Sequence, residues 1–160
     1  MRVQGVMQRH VVTLSPNDTL RDAYELMQEG GFRHIPILDD EELVGIVSDR
    51  DILLQATSDD GDAAVPDMLL ADIMTTDLIT CSATARLADV AASMVDHKID
   101  ALPVMDGNGQ LVGIVTSTDL LLLVGAADHE FGKTTLPFSY HIERRAGGLR
   151  GRPAPLHVPI

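Results

Sequence analysis

Apolar and polar positions follow one another along this chain in a series that is written twice. A short apolar segment at residues 11–13 comes first, and Leu20, Ala23, Tyr24 and Met27 then recur at the spacing of one helix face. Two apolar runs follow, residues 35–38 and 43–47, separated by the polar "DDEE" as paired strands would be. A helix is predicted from about Asp49. The series returns with residues 78–80, the helix positions Leu87, Val90, Ala91 and Met94, the runs 102–105 and 111–115, and a helix from about Ser117. Start signals agree: Ser15-Pro-Asn-Asp18 precedes the first helix, and Ser82 with Thr84 the equivalent one. Gly30-Gly31 ends the first, and His97-Lys98 places cationic groups at the end of the other. The loop "DGNG" adds Asp-Gly and Asn-Gly, both hairpin signals. Each series predicts an α/β (α+β) unit of order β-α-β-β-α.

Residues 6–52 set over 73–120, with one gap after Asp39/Asp106, share fourteen identities. "VMQRHVVTLS" answers "IMTTDLITCS", "RHIPILD" answers "DALPVMD", and "LVGIVSDRDI" answers "LVGIVTSTDL". Matches spread over the whole unit, with the gap in a loop, indicate duplication. Residues 1–57 are expected as the first unit, 58–71 as an acidic linker, and 72–127 as the second unit. Residues 128–160 are expected as an extended Gly/Pro/Arg-containing C-terminal tail.

Composition narrows the function. Apolar residues make up 45% of the chain, enough for a sizeable core, but aromatics are only 3% and Trp is absent. The core must therefore be aliphatic, and base-stacking platforms for single-stranded nucleic acid are not expected. The net charge of −12 is concentrated in residues 1–124, with 21 acids against 7 bases, whereas residues 125–160 carry 3 acids and 5 bases. Such a body disfavours binding to a phosphate backbone. The single cysteine, Cys81, cannot form an internal disulfide and fits a reducing compartment. Within "LITCSA" it reads as a structural residue, not a nucleophile. The first ten residues lack the apolar core of a signal peptide. The longest apolar run, residues 120–127, is far below the roughly 20 residues of a membrane span. A soluble cytoplasmic protein without membrane insertion is expected.

The repeated motifs carry a resemblance. The opening "VM"/"IM", the "T-x-S" before the first helix, the strand with Pro and a closing Asp, and "LVGIV[ST]xxD[IL]" resemble the cystathionine-β-synthase (CBS) domain, over residues 6 to about 124. The resemblance implies tandem CBS units packed with pseudo-two-fold symmetry as a Bateman module, commonly dimerised into a disc. It also implies two clefts between the units, which adenine nucleotides or adenosyl compounds occupy.

Physical chemistry indicates which residues would serve those clefts. Residues 45–51, "GIVSDRD", and 113–119, "GIVTSTD", cross from a buried strand into the first turn of a helix. Helix N-termini offer unpaired N–H groups and partial positive charge, suited to phosphate. Ser48 with Asp51, and Thr116 with Asp119, form two candidate ribose-phosphate clamps. The same spacing is a capping arrangement that would stabilise the helix without any ligand, and both roles stay open. The units are unequal: Arg33, His34 and Arg50 in the first stand where Asp100, Ala101 and Thr118 stand in the second. Phosphates are therefore expected near Arg33, His34 and Arg50. The base is expected against the first strands, with backbone near Val11 to Thr13 or Leu78 to Thr80 reading its edge. Ile35 and Leu102, before Pro36 and Pro103, are expected to sandwich it.

No catalytic constellation is apparent. The six histidines, at 10, 34, 97, 129, 141 and 157, are scattered, and no metal-ligand, P-loop or dinucleotide motif occurs. The expectation is a non-catalytic regulatory module, with no metal and no required cofactor. It would bind AMP, ADP, ATP, NAD or S-adenosylmethionine, form a homodimer, and signal to a regulated enzyme or transporter. Two alternatives stand beside it: a structural dimerisation protein with unused clefts, and nucleic-acid binding through the basic tail.

Overall fold

The computed structural model describes residues 1–59 and 62–131, so the expectations for the C-terminal tail lie outside the described residues. In the first repeat, α1 (Leu20–Gly30) leads to the antiparallel pair β1 (His34–Asp39) and β2 (Glu42–Ser48), then to α2 (Asp49–Gln55). A small antiparallel pair, β3 (Thr57–Asp59) with β4 (Asp62–Ala64), and the short α3 (Leu70–Ile73) connect the repeats. In the second, β5 (Cys81–Ser82) and α4 (Leu87–His97) precede the antiparallel β6 (Ala101–Met105) and β7 (Leu111–Thr116), and α5 (Ser117–Phe131) closes the series. Both repeats lie within Met1–Leu122, a single unit.

Local chemistry accounts for these elements. Leu20, Ala23 and Met27 put the buried face of α1 at positions one and two turns apart. Thr19 caps it: its Oγ1 accepts from the Asp22 N–H, and the Asp22 carboxylate accepts from the Thr19 N–H at 2.9 Å. Gly31 ends it in the left-handed conformation, at φ 69°. Lys98 ends α4 in the same conformation, at φ 55°.

The expected first strands are shorter and later than residues 11–13 and 78–80. In the first repeat only Leu14 pairs, bridging Ile37 in parallel; in the second, β5 pairs with β6. A parallel edge is held by a couple of slanted bonds, so the preceding extended chain needs no sheet partner.

Each repeat's core is completed by the chain leading into the other. Leu70 is buried among Leu20, Met27, Ile35, Ile37 and Val47 of the first repeat. Val3 and Met7 are buried among Val90, Met94, Leu102 and Val115 of the second. Fully burying side chains such as Val3 and Leu70 contributes about 1.5–3 kcal/mol each, which ties the two repeats to one another. Backbone bridges follow the same exchange, Gln8 with Ile114 and Thr75 with Ile46. The repeats thus interlock with approximate two-fold symmetry.

Candidate functional site: two clefts between the repeats

Both polar turns fold as reciprocal caps. Ser48 donates to Asp51 Oδ2 from its N–H at 2.7 Å and its hydroxyl at 2.8 Å, and the Asp51 N–H donates back to Ser48 Oγ at 3.2 Å. Thr116 and Asp119 repeat this geometry at 2.8, 2.8 and 3.3 Å. The capping role is therefore realised at both turns. It leaves the second carboxylate oxygen, Oδ1, outside the cap.

Each turn adjoins a cavity completed by the other repeat. The larger, about 310 Å³, joins Thr116, Thr118 and Ile114 to Gln8, His10, Val11, Val12 and residues 31–34. The smaller, about 190 Å³, joins Ile46, Ser48, Asp49, Arg50 and Asp51 to Thr75, residues 98–101, Arg33 and His34. In the larger cleft, the main chain of Val11 and Val12 bonds to no other main chain among the described residues. It keeps donors and acceptors free to read the edge of a planar ligand.

Arg33 and His34 line both cavities, because β1 lies beside β2 with His34 opposite Ser48. They adjoin the second turn as well as the first, whose Arg50 was expected beside them. In the smaller cleft Arg33, Arg50 and Lys98 face Asp49, Asp51 and Asp100, so cations and carboxylates balance. No carboxylate lines the larger cleft. Burial, then repulsion by Arg33, holds His34 below its ordinary value of 6.5, despite Asp49, Asp100 and Asp51 nearby. At neutral pH it is an uncharged imidazole.

A family model for the CBS domain matches residues 3–56 and 70–126. The chain belongs to the CBS domain family. The CBS pair of the protein MJ0100, solved with 5′-methylthioadenosine and S-adenosyl-L-methionine, superposes with a TM-score of 0.68 at 27% identity, over 79% of this chain and 98% of that one. The CBS domain-containing protein YhcV of Bacillus subtilis is 36% identical over 118 residues, 74% of this chain and 81% of its own. An inosine-5′-monophosphate dehydrogenase of Korarchaeum cryptofilum is 34% identical over 119 residues, but these are only 23% of that enzyme. Similarity to such enzymes is confined to a CBS portion.

The CBS pair brings some of the expected site residues together and sets others aside. Ser48, Arg50, Asp51, Asp100 and Ala101 share the smaller cleft, and Val11 and Thr116 the larger. Asp119 stands behind the larger cleft, 7% exposed, bonded to Thr116 and Gln8, which line it. Thr13, Leu78 and Thr80 line neither cavity. Ile35 and Leu102, expected to sandwich the base, are fully buried, as are Pro36 and Pro103 after them. Burial runs through consecutive residues here, 35–37 in β1 and 101–104 in β6, so both faces of these strands are covered. Gln8, Phe32 and Lys98 line clefts without having been singled out as site residues. For Gln8 a signal existed, since the repeat alignment sets it over Thr75, which lines the other cleft.

Among the described residues no three His, Cys, Asp or Glu side chains gather to hold a metal ion. Burial pushes the Cys81 thiol up to about 11, so it is protonated and unreactive at neutral pH. No helix among the described residues is long and apolar enough to cross a membrane.

Proposed function

We propose that this CBS pair is a non-catalytic sensor of an adenine nucleotide or adenosyl metabolite, taken into the clefts between its two units. One observation carries the reading: each capped turn, Ser48–Asp51 and Thr116–Asp119, adjoins a cavity finished by the other repeat. A ligand there touches both repeats and is sensitive to how they interlock. Asp51 or Asp119 would accept ribose hydroxyls, the hydroxyls at Thr116, Thr118 or Ser48 would meet phosphate or ribose oxygens, and Arg33 would neutralise a phosphate in either cleft. The neighbour holding 5′-methylthioadenosine and S-adenosylmethionine supports an adenosyl ligand. A sensor must bind its ligand differently in two conformations, and the contact between repeats is the element a cleft ligand would bias for a partner enzyme or transporter.

Isothermal titration of the chain with AMP, ADP, ATP, NAD and S-adenosylmethionine tests this. Saturable heat with at least one ligand is expected, lost in Asp51→Ala or Asp119→Ala according to the cleft used. Silence across all five rejects it.

A second reading, assembly, rests on its own observation. Leu53 and Leu54 on α2, and their equivalents Leu121 and Leu122 on α5, are exposed. Homodimerisation through these faces is compatible with ligand sensing.

A further inference from the structure

Among the differences between the two clefts is the pair of equivalent positions Gln8 and Thr75. Each exchanges two backbone hydrogen bonds with a strand of the other repeat, Gln8 with Ile114 at 2.8 and 3.0 Å and Thr75 with Ile46 at 2.9 and 3.1 Å. Each lines the cleft beside that strand. Only the glutamine reaches the carboxylate behind the turn: its Nε2 donates to Asp119 Oδ1 at 2.8 Å. Asp119 Oδ2 already accepts from Thr116, so both oxygens are taken. In the smaller cleft Asp51 is only partly buried, and its Oδ1 accepts no hydrogen bond among the described residues.

A carboxylate as buried as Asp119 needs donors, and Gln8 supplies one that stabilises the empty cleft. A vicinal diol arriving at Asp119 must replace a bond already made. A diol arriving at Asp51 displaces water alone. We propose that Gln8 is a latch supplied by one repeat to the other: it holds the carboxylate behind the larger cleft, Asp119, closed to ribose, so the two clefts take the same class of ligand with unequal affinity. The inference rests on the reading of the clefts as ribose sites.

The test uses the full chain, the five ligands above, all ribose-bearing, and 2′-deoxyadenosine 5′-phosphate as the control without a diol. With Asp51→Ala silencing the smaller cleft, Gln8→Thr, which copies the other repeat, should tighten ligand binding about three- to tenfold, the net worth of one hydrogen bond. The deoxy control should not gain. Gln8→Leu, which keeps length without a donor, should behave alike and guards against a misfolded Gln8→Thr. Conversely, with Asp119→Ala, Thr75→Gln should weaken binding at Asp51 by a similar factor. Binding that persists but is unchanged or weaker in both Gln8 variants overturns the latch and leaves the ligand reading standing. Silence of all five ligands in the unmodified chain and in both Gln8 variants overturns the two together.

Discussion

Met74, which opens the second repeat, lies against the bare Cα of Gly45 in the first, and Met7 lies against Gly113 in the reverse sense. The glycine of each "GIV" is thus a crossing point between repeats, not a turn residue. The two crossings are not equally tolerant. The nearest atoms to a Cβ on Gly45 are all in the Met74 side chain, whose outer atoms can rotate away; a Cβ on Gly113 would meet Met7 Sδ at 2.8 Å and the Gln8 carbonyl oxygen, a main-chain atom, at 2.9 Å. Gly113→Ala is expected to cost about 1–3 kcal/mol by overpacking and Gly45→Ala less. Urea unfolding midpoints of the two variants check the order. Met74→Ala should restore Gly45→Ala, whereas Met7→Ala should not fully restore Gly113→Ala.

The hairpin between β1 and β2 turns through Asp40 at φ 44° and Glu41 at φ 69°, both in the left-handed region without glycine. The equivalent turn in the second repeat spends its positive φ on Gly109, at 79°. Two-residue hairpin turns of this hand favour Asn-Gly, and the left-handed conformation costs a non-glycine residue about 1–2 kcal/mol. Asp40→Asn with Glu41→Gly is therefore expected to stabilise the fold by about 1 kcal/mol, read as a higher denaturation midpoint with an unchanged m-value.

Periodicity reached most of the fold because helices and strands here obey their own local rules. Leu20, Ala23 and Met27 could face only one way, and "DGNG" could only turn. The cross-repeat contacts were written in residues with no local signature. Val3 and Met7 lie at the start of the first unit and Leu70 in the connector, and nothing in their spacing says which core they enter. The clamp pairs Ser48–Asp51 and Thr116–Asp119 were legible because a cap is a local motif. The bond from Gln8 to the Asp119 carboxylate was not, because the two residues are more than a hundred positions apart. The burial of Ile35 and Leu102 was equally hidden, because the strand pattern alone does not say which face the rest of the chain covers.

Caps and ligand contacts are separable by experiment. Ser48→Ala removes the Oγ that accepts from the Asp51 N–H and should cost about 1 kcal/mol in the ligand-free protein. Asp51→Asn keeps most of the turn's shape but loses the charge that a ribose diol would meet. It is expected to abolish any ligand-induced rise in melting temperature at the smaller cleft while lowering the ligand-free melting temperature no more than Ser48→Ala does. Differential scanning fluorimetry with and without saturating ligand distinguishes the two.

His34 gives the protein a pH dependence of defined sign. Its folded-state value lies below 6.5 through burial and the Arg33 charge, so the unfolded chain binds more protons in the window between the two values. Stability is then fully present above about pH 6.5 and is lost as pH falls through that window toward the lowered value. The unfolding midpoint should fall over this range, and His34→Gln should flatten the fall. A phosphate bound beside Arg33 and His34 would raise the imidazole, so such a ligand should take up protons and bind more tightly as pH drops from 7.5 toward 6. Tightening that survives His34→Gln would assign the effect elsewhere.

Leu53 and Leu54 occupy positions in α2 that the repeat alignment sets over Leu121 and Leu122 in α5, and all four are mostly exposed. Singly exposed leucines are ordinary, but two equivalent pairs on a body this acidic are a repeated apolar face. An isologous interface uses one patch on both partners, and an internally two-fold pair presents its patch twice, so a second copy can cover both at once. The unmodified chain is expected to sediment as a dimer, and Leu53→Glu combined with Leu121→Glu as a monomer. Exposed substitutions of this kind typically change stability by no more than about 0.5 kcal/mol, so a loss of dimer mass with an unaltered unfolding transition of the monomer would tie assembly to these helices. A variant that keeps its dimer mass would place the interface elsewhere.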